Sequence, residues 1–379
     1  MSKPSILIVD DRADDEHGKL IRWESAFELR IRHPQDVTAQ DLQVATVVVV
    51  DFRLDDPWKE RDERSTVSLK PMDGLALTAV LRSHERTLDG SPTAFVLRSA
   101  HLADLSPSFP PDSRLHVLAS QYNIEWVLDK QADVDLQMRQ IGSLARAMDE
   151  LPKDWPVDDA DETGEIVGDW LHLPEHRWRQ LARQDIEDCH PPLHEMSERK
   201  HGLRLVRWLA QRILPYPCFL WTDSRLATRL RVTRESLRVA LGQGLDARFE
   251  PAKYVGQLHD FEEGTRWWRA GIEAILWDVT GGRSFDSAGT REVLNQDCGN
   301  SLVPLPLSQP VLCLDYNFRF RKVPYDVADA VRVQPDDWPV YAEQAWAATE
   351  DARDEPRLAA AVIATDRHRL SDSTPAEDD

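Results

Sequence analysis

The sequence predicts an α/β N-terminal half built as a doubly wound parallel sheet, followed by a mainly α-helical region and a smaller α+β C-terminal part. Three observations predict the first half. Short β-branched runs, Ile6 to Val9 and Val47 to Val50, show no polar alternation, as strands covered on both faces do. Helical patterns at 74–82 ("GLALTAVLR") and 136–148 ("LQMRQIGSLARAM") alternate with such runs, the order of a βαβ sheet. Acids end the runs, Asp10 and Asp11 in "SILIVDD" and Asp51 in "VVVVDFRLDD", at the carboxyl edge where doubly wound sheets gather functional groups.

Two further strands follow in order. "TAFVLRSA" (93–100) brings Ser99 to the same edge, and "IEWVLDK" (124–130) brings Lys130. The prolines, glycines and seven acids of 151–169 mark a boundary, giving an N-terminal domain over 1–150 and an acidic linker over 151–169. Beyond it we expect a helical region over 170–250, a C-terminal α+β region over 251–350 and a partly disordered acidic tail over 351–379.

Asp10, Asp11 and Asp51 converging in one crevice would repel one another unless neutralised, and a hard divalent cation such as Mg²⁺ is the natural partner. Carboxylate, metal, hydroxyl and lysine together suit phosphoryl transfer: the carboxylate attacks while cation and ammonium neutralise the transferring oxygens. The segments "ILIVDD", "VVVVD", "PMDGLAL", "FVLRSA" and "VLDK" resemble, in order and over residues 4–150, the receiver domain of two-component response regulators. That resemblance implies a flavodoxin-like five-stranded sheet and assigns roles by position. Asp51 becomes the phosphoacceptor, Asp10 and Asp11 the Mg²⁺-holding pair with the Arg53 backbone carbonyl, Ser99 the switch hydroxyl and Lys130 its ammonium partner. It also implies a histidine-kinase-like phosphodonor.

The sequence departs from the family at three places. Residues 55–70 lengthen the loop between Asp51 and Pro71, Val127 with Trp126 before it stands where an aromatic is usual three before Lys130, and Gln131 replaces a proline. A second long connection, 101–123, widens the gap between Ser99 and Lys130. The receiver is therefore read either as phosphorylation-competent or as a binding scaffold.

In the middle region, "ERKHGLRLVRWLAQRIL" places Leu203, Val206, Leu209 and Ile213 at helical spacing. "TDSRLATRLRVTRESLRVALG" (222–242) then reads as a helix-turn-helix pattern. Thr222 or Asp223 caps a helix with Leu226, Ala227 and Leu230 inward, Thr233 caps a second with Leu237, Ala240 and Leu241 inward, and Gly242 ends it. The pattern is similar to that of bacterial repressors, with Arg231 where glycine is usual; a left-handed turn there costs roughly 1 kcal/mol.

The chain totals −20, yet 199–238 holds ten Lys/Arg against Asp223 and Glu235. Arg229, Arg231, Arg234 and Arg238 are thus candidate contacts to DNA or, alternatively, to an acidic protein partner. A solvated helix face is the third reading. His172, His176, Cys189, His190 and His194 could suggest metal, but Pro191–Pro192 breaks the helix that would align them. Trp267, Trp268, Ile272, Ile275 and Leu276 have the spacing of a core-facing helix. Residues 300–335 turn strand-like and 336–348 return to helix.

Four scattered cysteines without a CxxC pair exclude a disulfide framework. No signal peptide and no apolar run of about eighteen residues is present, so a cytoplasmic protein without membrane contact is expected. No phosphate loop or nucleophile elbow supports an output enzyme, leaving at most self-phosphorylation and self-dephosphorylation at Asp51. Two outputs stay open, a DNA-binding regulator and an adaptor subunit working through protein contacts, either of them able to assemble as a homodimer.

Overall fold

The structure, a computed structural model, describes residues 3–54, 70–105, 114–153, 155, 160–193 and 202–371. The insertion at 55–69, much of the second long connection, His194, Arg199, Lys200 and the tail 372–379 lie outside the described residues. The chain forms two compact units: residues 1–172, 190–215 and 256–263 make the first, and 173–189, 216–255 and 264–379 the second.

In the first unit, strands β1 (Ser5–Val9), β2 (Glu28–Arg32), β3 (Val47–Asp51), β4 (Ala94–Ser99) and β5 (Trp126–Asp129) form one sheet in the order β2-β1-β3-β4-β5. Every pairing is parallel. This is the flavodoxin-like order of a doubly wound sheet. Helices α1 (Ala13–Lys19), α2 (Ala39–Val44), α3 (Gly74–Glu85), α4 (Leu102–Leu105), α5 (Leu115–Gln121) and α6 (Val134–Asp149) accompany it. Strand β3 is buried throughout, as its unbroken β-branched run requires. Strand β2 escaped the sequence reading because "ELRIR" alternates charge with apolar residues, the pattern of a half-exposed edge.

Residues 151–169, expected as a linker, are part of this unit: α7 (Ala160–Trp170) buries Val167 and Trp170, and Trp155 is buried before it. Further on come α8 (Arg179–Asp188), in the second unit, and α9 (Gly202–Trp208), in the first, the latter prolonged by a π turn over Leu209–Ile213. Leu205, Val206, Leu209 and Ile213 are its buried face. This helix is fastened to the start of β5. Gln211 donates to the carbonyls of Ile124 (2.7 Å) and Glu125 (2.9 Å), and Arg207 Nε donates to the Glu125 carboxylate at 2.7 Å. Arg82 of α3 reaches the same carboxylate at 3.0 Å, and the Phe95 amide donates to it as well. Phe261 packs edge-on against Trp126 with ring centroids 4.6 Å apart.

The second unit opens with β6 (Leu220–Thr222), paired antiparallel with β7 (Arg266–Trp268). Helices α10 (Asp223–Leu230) and α11 (Arg234–Ala240) have the expected caps, Thr222 accepting from the Arg225 amide and Thr233 from that of Ser236. Arg231, between them, is left-handed at φ 55°, ψ 44°. Gly242 does not end the second helix. It runs on through a π turn at Leu241–Leu245 into α12 (Asp246–Phe249), and the break is at Gly244, whose φ of 124° suits glycine. Trp267 and Trp268 are core residues, but on β7 rather than on a helix; α13 (Arg269–Val279) begins after them, with α14 (Ser287–Asn295) beyond.

The return to helix at 336–348 does not occur. Ala345–Ala348 forms β12, antiparallel to β11 (Ala330–Val333), because pairing with a buried strand overrides the helical preference of its alanines. Of the expected acidic tail 351–379, the described residues to 371 carry the end of α15 (Thr349–Asp354), α16 (Pro356–Ala361) and α17 (His368–Ser371). Among the described residues no helix is long and apolar enough to cross a membrane.

Glu125 is fully buried between Arg82 and Arg207. Removing one member of such a network leaves uncompensated buried charge, costing about 3–5 kcal/mol. Glu125→Ala should therefore lower the urea midpoint of the first unit and open 202–213 to protease. An unchanged midpoint would show that α9 is held by apolar contacts alone.

Candidate functional site

Three strand ends of the first unit bring the site together. Asp10 follows β1, its amide donating to the Arg32 carbonyl at 3.1 Å and its Oδ1 accepting from the Arg12 amide at 2.9 Å. Asp51 closes β3, and Lys130 follows β5, its amide donating to the Ser99 carbonyl at 2.8 Å. Asp10 and Asp51 are almost fully buried. Lys130 Nζ lies 2.9 Å from Asp10 Oδ2 and 3.0 Å from Asp51 Oδ1, bridging the two carboxylates.

Gly74 is required at the floor, since a Cβ there would stand 2.0 Å from the Asp51 carbonyl oxygen. The backbone crosses here because the Gly74 amide donates to the Phe52 carbonyl at 2.8 Å, while the Asp73 side chain caps α3.

Burial, reinforced by Asp10, raises the Asp51 carboxyl to about 6 despite the pull of Lys130. Burial alone would depress Lys130, but Asp51 and Asp10 outweigh it and raise its proton affinity. Carboxylate oxygens of Asp10, Asp11 and Asp51 lie within 4.8 Å of one another, the only such group of metal-capable side chains among the described residues. An all-oxygen, all-carboxylate donor set fits a hard divalent cation such as Mg²⁺. The His172, His176, Cys189 and His190 set makes no such group.

Ser99 is buried at the end of β4, where its hydroxyl accepts from the His101 amide at 2.9 Å. Arg53 stands two residues past Asp51 in a bridge with Asp73, its side chain paired with Asp104 at 2.5 Å. Val127 is fully buried on β5 and Trp126 faces Phe261.

One buried pair beside the site went unread in the sequence. Arg98, opposite Asp51 in the sheet register, reaches Glu16 of α1 at 2.7 Å. Burial would raise the Glu16 carboxyl, but hydrogen bonds from Lys19 and Arg98 outweigh it and bring it to about 2. The signal was there: an arginine within the buried strand "AFVLRS" must have an acid partner.

The four candidate contact arginines divide. Arg229 makes a bidentate pair with Glu273 (2.7 and 2.9 Å) and Arg238 pairs with Glu235 at 2.9 Å. Arg234 is exposed, and Arg231 is half-buried at the turn. Elsewhere in the run, Arg207 is spent on Glu125 and Arg225 on Glu343. Four of the ten basic residues of the run, Arg207, Arg225, Arg229 and Arg238, are therefore paired with acids of the chain itself.

The β2-β1-β3-β4-β5 parallel sheet, with three acids and a lysine over its carboxyl edge, defines a flavodoxin-like, doubly wound α/β domain. No protein-family model and no curated protein matches the chain. Among solved structures it is similar to a response regulator from Burkholderia pseudomallei with a phosphorylated aspartic acid, calcium ion and citrate. Identity there is 15%, covering 54% of this chain and 98% of that one at a TM-score of 0.25. It is also similar to RcsB from Salmonella enterica serovar Typhimurium bound to a promoter in the presence of BeF3⁻, with 11% identity over 55% of this chain and 99% of that one at a TM-score of 0.26.

Because folding raises the proton affinity of Asp51, its contribution to stability is complete below the ordinary value of 3.8 and is lost as pH rises through about 6. In EDTA at pH 7.5, Asp51→Asn should be more stable than the wild type by on the order of 1–3 kcal/mol. The difference should shrink to roughly half at pH 5 and close only below the ordinary value of 3.8. Urea titrations at both pH values check this, and a variant no more stable at pH 7.5 would contradict it.

Proposed function

We propose that the chain is a response-regulator-like signalling protein whose first unit accepts a phosphoryl group on Asp51 from a histidine-kinase-like donor in the cytoplasm. The observation that carries this reading is the Lys130 ammonium seated between Asp10 and Asp51, beside the Asp11 carboxylate. Asp10 and Asp51 share the Lys130 ammonium, and the Asp11 carboxylate lies beside them, an arrangement that a divalent cation and a phosphoryl group would complete.

Asp10, Asp11, Asp51 and the Arg53 backbone carbonyl would hold Mg²⁺, which when bound supplies charge neutralisation at the transferring oxygens. A carboxylate oxygen of Asp51 forms the O–P bond as the P–N bond to the donor imidazole breaks, and the leaving imidazole takes a proton from solvent. The Lys130 ammonium is positioned to neutralise a phosphoryl oxygen. Ser99, whose hydroxyl now accepts from His101, can turn its own O–H toward the new phosphoryl group. The acyl phosphate carries about −2 where the ionised carboxylate carried −1, and the added charge then biases the surface around β4 and β5.

For the output, an adaptor role through protein contacts is favoured over DNA binding by one observation: Arg229 and Arg238 are already answered by Glu273 and Glu235. A homodimer is compatible with either.

Incubation with acetyl phosphate and Mg²⁺ should add one phosphoryl mass to the wild-type chain and none to Asp51→Asn. An absent adduct on the wild type, or an undiminished one on the variant, would sink the assignment and leave a binding scaffold. The same samples run against random duplex in a gel shift should not be retarded; a steeply salt-dependent shift would restore DNA as the output.

A further inference from the structure

We infer that the second unit holds a separate ligand site, a cavity for a small anion bearing a flat ring, of the size of a nucleoside monophosphate, with Arg231 as its anion anchor. The cavity of about 370 Å³ lies between α10, the 309–312 segment and the start of β12. That is within the range of small-molecule sites, about 300–1,000 Å³. Rings of Trp221, Phe285 and Trp346 line it, and the Gln309 amide, with the side-chain oxygen of Gln344 whose NH2 donates to the Val333 and Ala345 carbonyls, offers polar groups of the kind that read a base edge.

The charges are what give it a sign. Three arginines, Arg225, Arg229 and Arg231, face Glu343 in the lining. Glu343 is answered by Arg225 and by the Trp221 indole N–H at 3.0 Å. Arg229 is answered by Glu273 just outside, and its guanidinium lies over the Phe285 ring at 4.2 Å, which fixes that ring as a wall. Arg231 has no ion-pair partner among the described residues, so its charge is the one the cavity offers an anion.

The backbone says that this arginine is not there for the turn. At φ 55° glycine would serve better, and the conformation is pinned by backbone bonds alone, from the Arg231 amide to Thr228 and from the Leu305 amide to the Arg231 carbonyl. A side chain that breaks the local rule and contributes nothing to the turn is where a ligand contact is expected. Guanidinium geometry suits phosphate, and the aromatic walls suit a base.

Arg231→Gly separates the two roles, because it relieves the turn while removing the anchor. By calorimetry on the full chain, adenosine 5′-monophosphate or guanosine 5′-monophosphate should bind the wild type with a Kd below about 1 mM. Inorganic phosphate, lacking the ring, and adenosine, lacking the anion, should each bind at least about tenfold more weakly. Arg231→Gly should lose mononucleotide binding by at least about tenfold with a Tm equal to or above that of the wild type. If neither nucleotide binds the wild type in the millimolar range, if phosphate alone binds as well, or if the glycine variant binds undiminished, the inference falls.

Discussion

Gathering three carboxylates, two of them buried, at one edge of a sheet beside the Lys130 ammonium is the constraint from which the first unit's architecture follows. The carboxylates cannot be solvated there, so each must be placed by backbone. Asp10 is held through Arg12 and the β2 carbonyl of Arg32, and Asp51 by the centre of the sheet. Lys130 must come from the last strand, and it does so only because β5 pairs in register with β4 and ends at Asp129. The close crossing at Gly74 and the second buried pair, Glu16 with Arg98, then brace the two sides of the same edge. Buried polar networks of this kind are costly unless their members are paired, which is what these backbone and ion-pair contacts supply.

Much of that site was legible because its residues obey a simple rule: an apolar β-branched run followed by a functional group. "VVVVD" and "FVLRS" announce strand and site together, and the periodic patterns at 74–82 and 136–148 lie inside the helices Gly74–Glu85 and Val134–Asp149. Legibility failed where tertiary contact decides. Strand β2 looks like a charged loop until it is set at an edge, and "EQAWAA" looks helical until β11 pairs with it. The basic run looked like a free surface because its partners, Glu125, Glu273 and Glu343, are distant in sequence. Arg231 was legible as a departure, and the left-handed turn anticipated there is what the structure holds.

The segment 202–213 bears on how the site could speak to the rest of the chain. It caps the entry of β5, through Gln211 and Arg207, while Lys130 stands at the exit of the same strand. A displacement of β5 on charging Asp51 would thus be felt at both ends. Helix α9 then leads directly into the second unit at Tyr216. Because the Glu125 pairs are buried, such a displacement has discrete rather than graded consequences.

The account stands on one claim, that Asp10, Asp11 and Asp51 form a divalent-cation site. Mn²⁺ takes the oxygen ligands of Mg²⁺ and can be located in a crystal by its anomalous scattering. A crystal of the full chain grown with Mn²⁺ should show an anomalous peak bounded by those three carboxylates, with Lys130 displaced from at least one of them. A map without a peak there, and with Lys130 still bridging Asp10 and Asp51, would contradict the account.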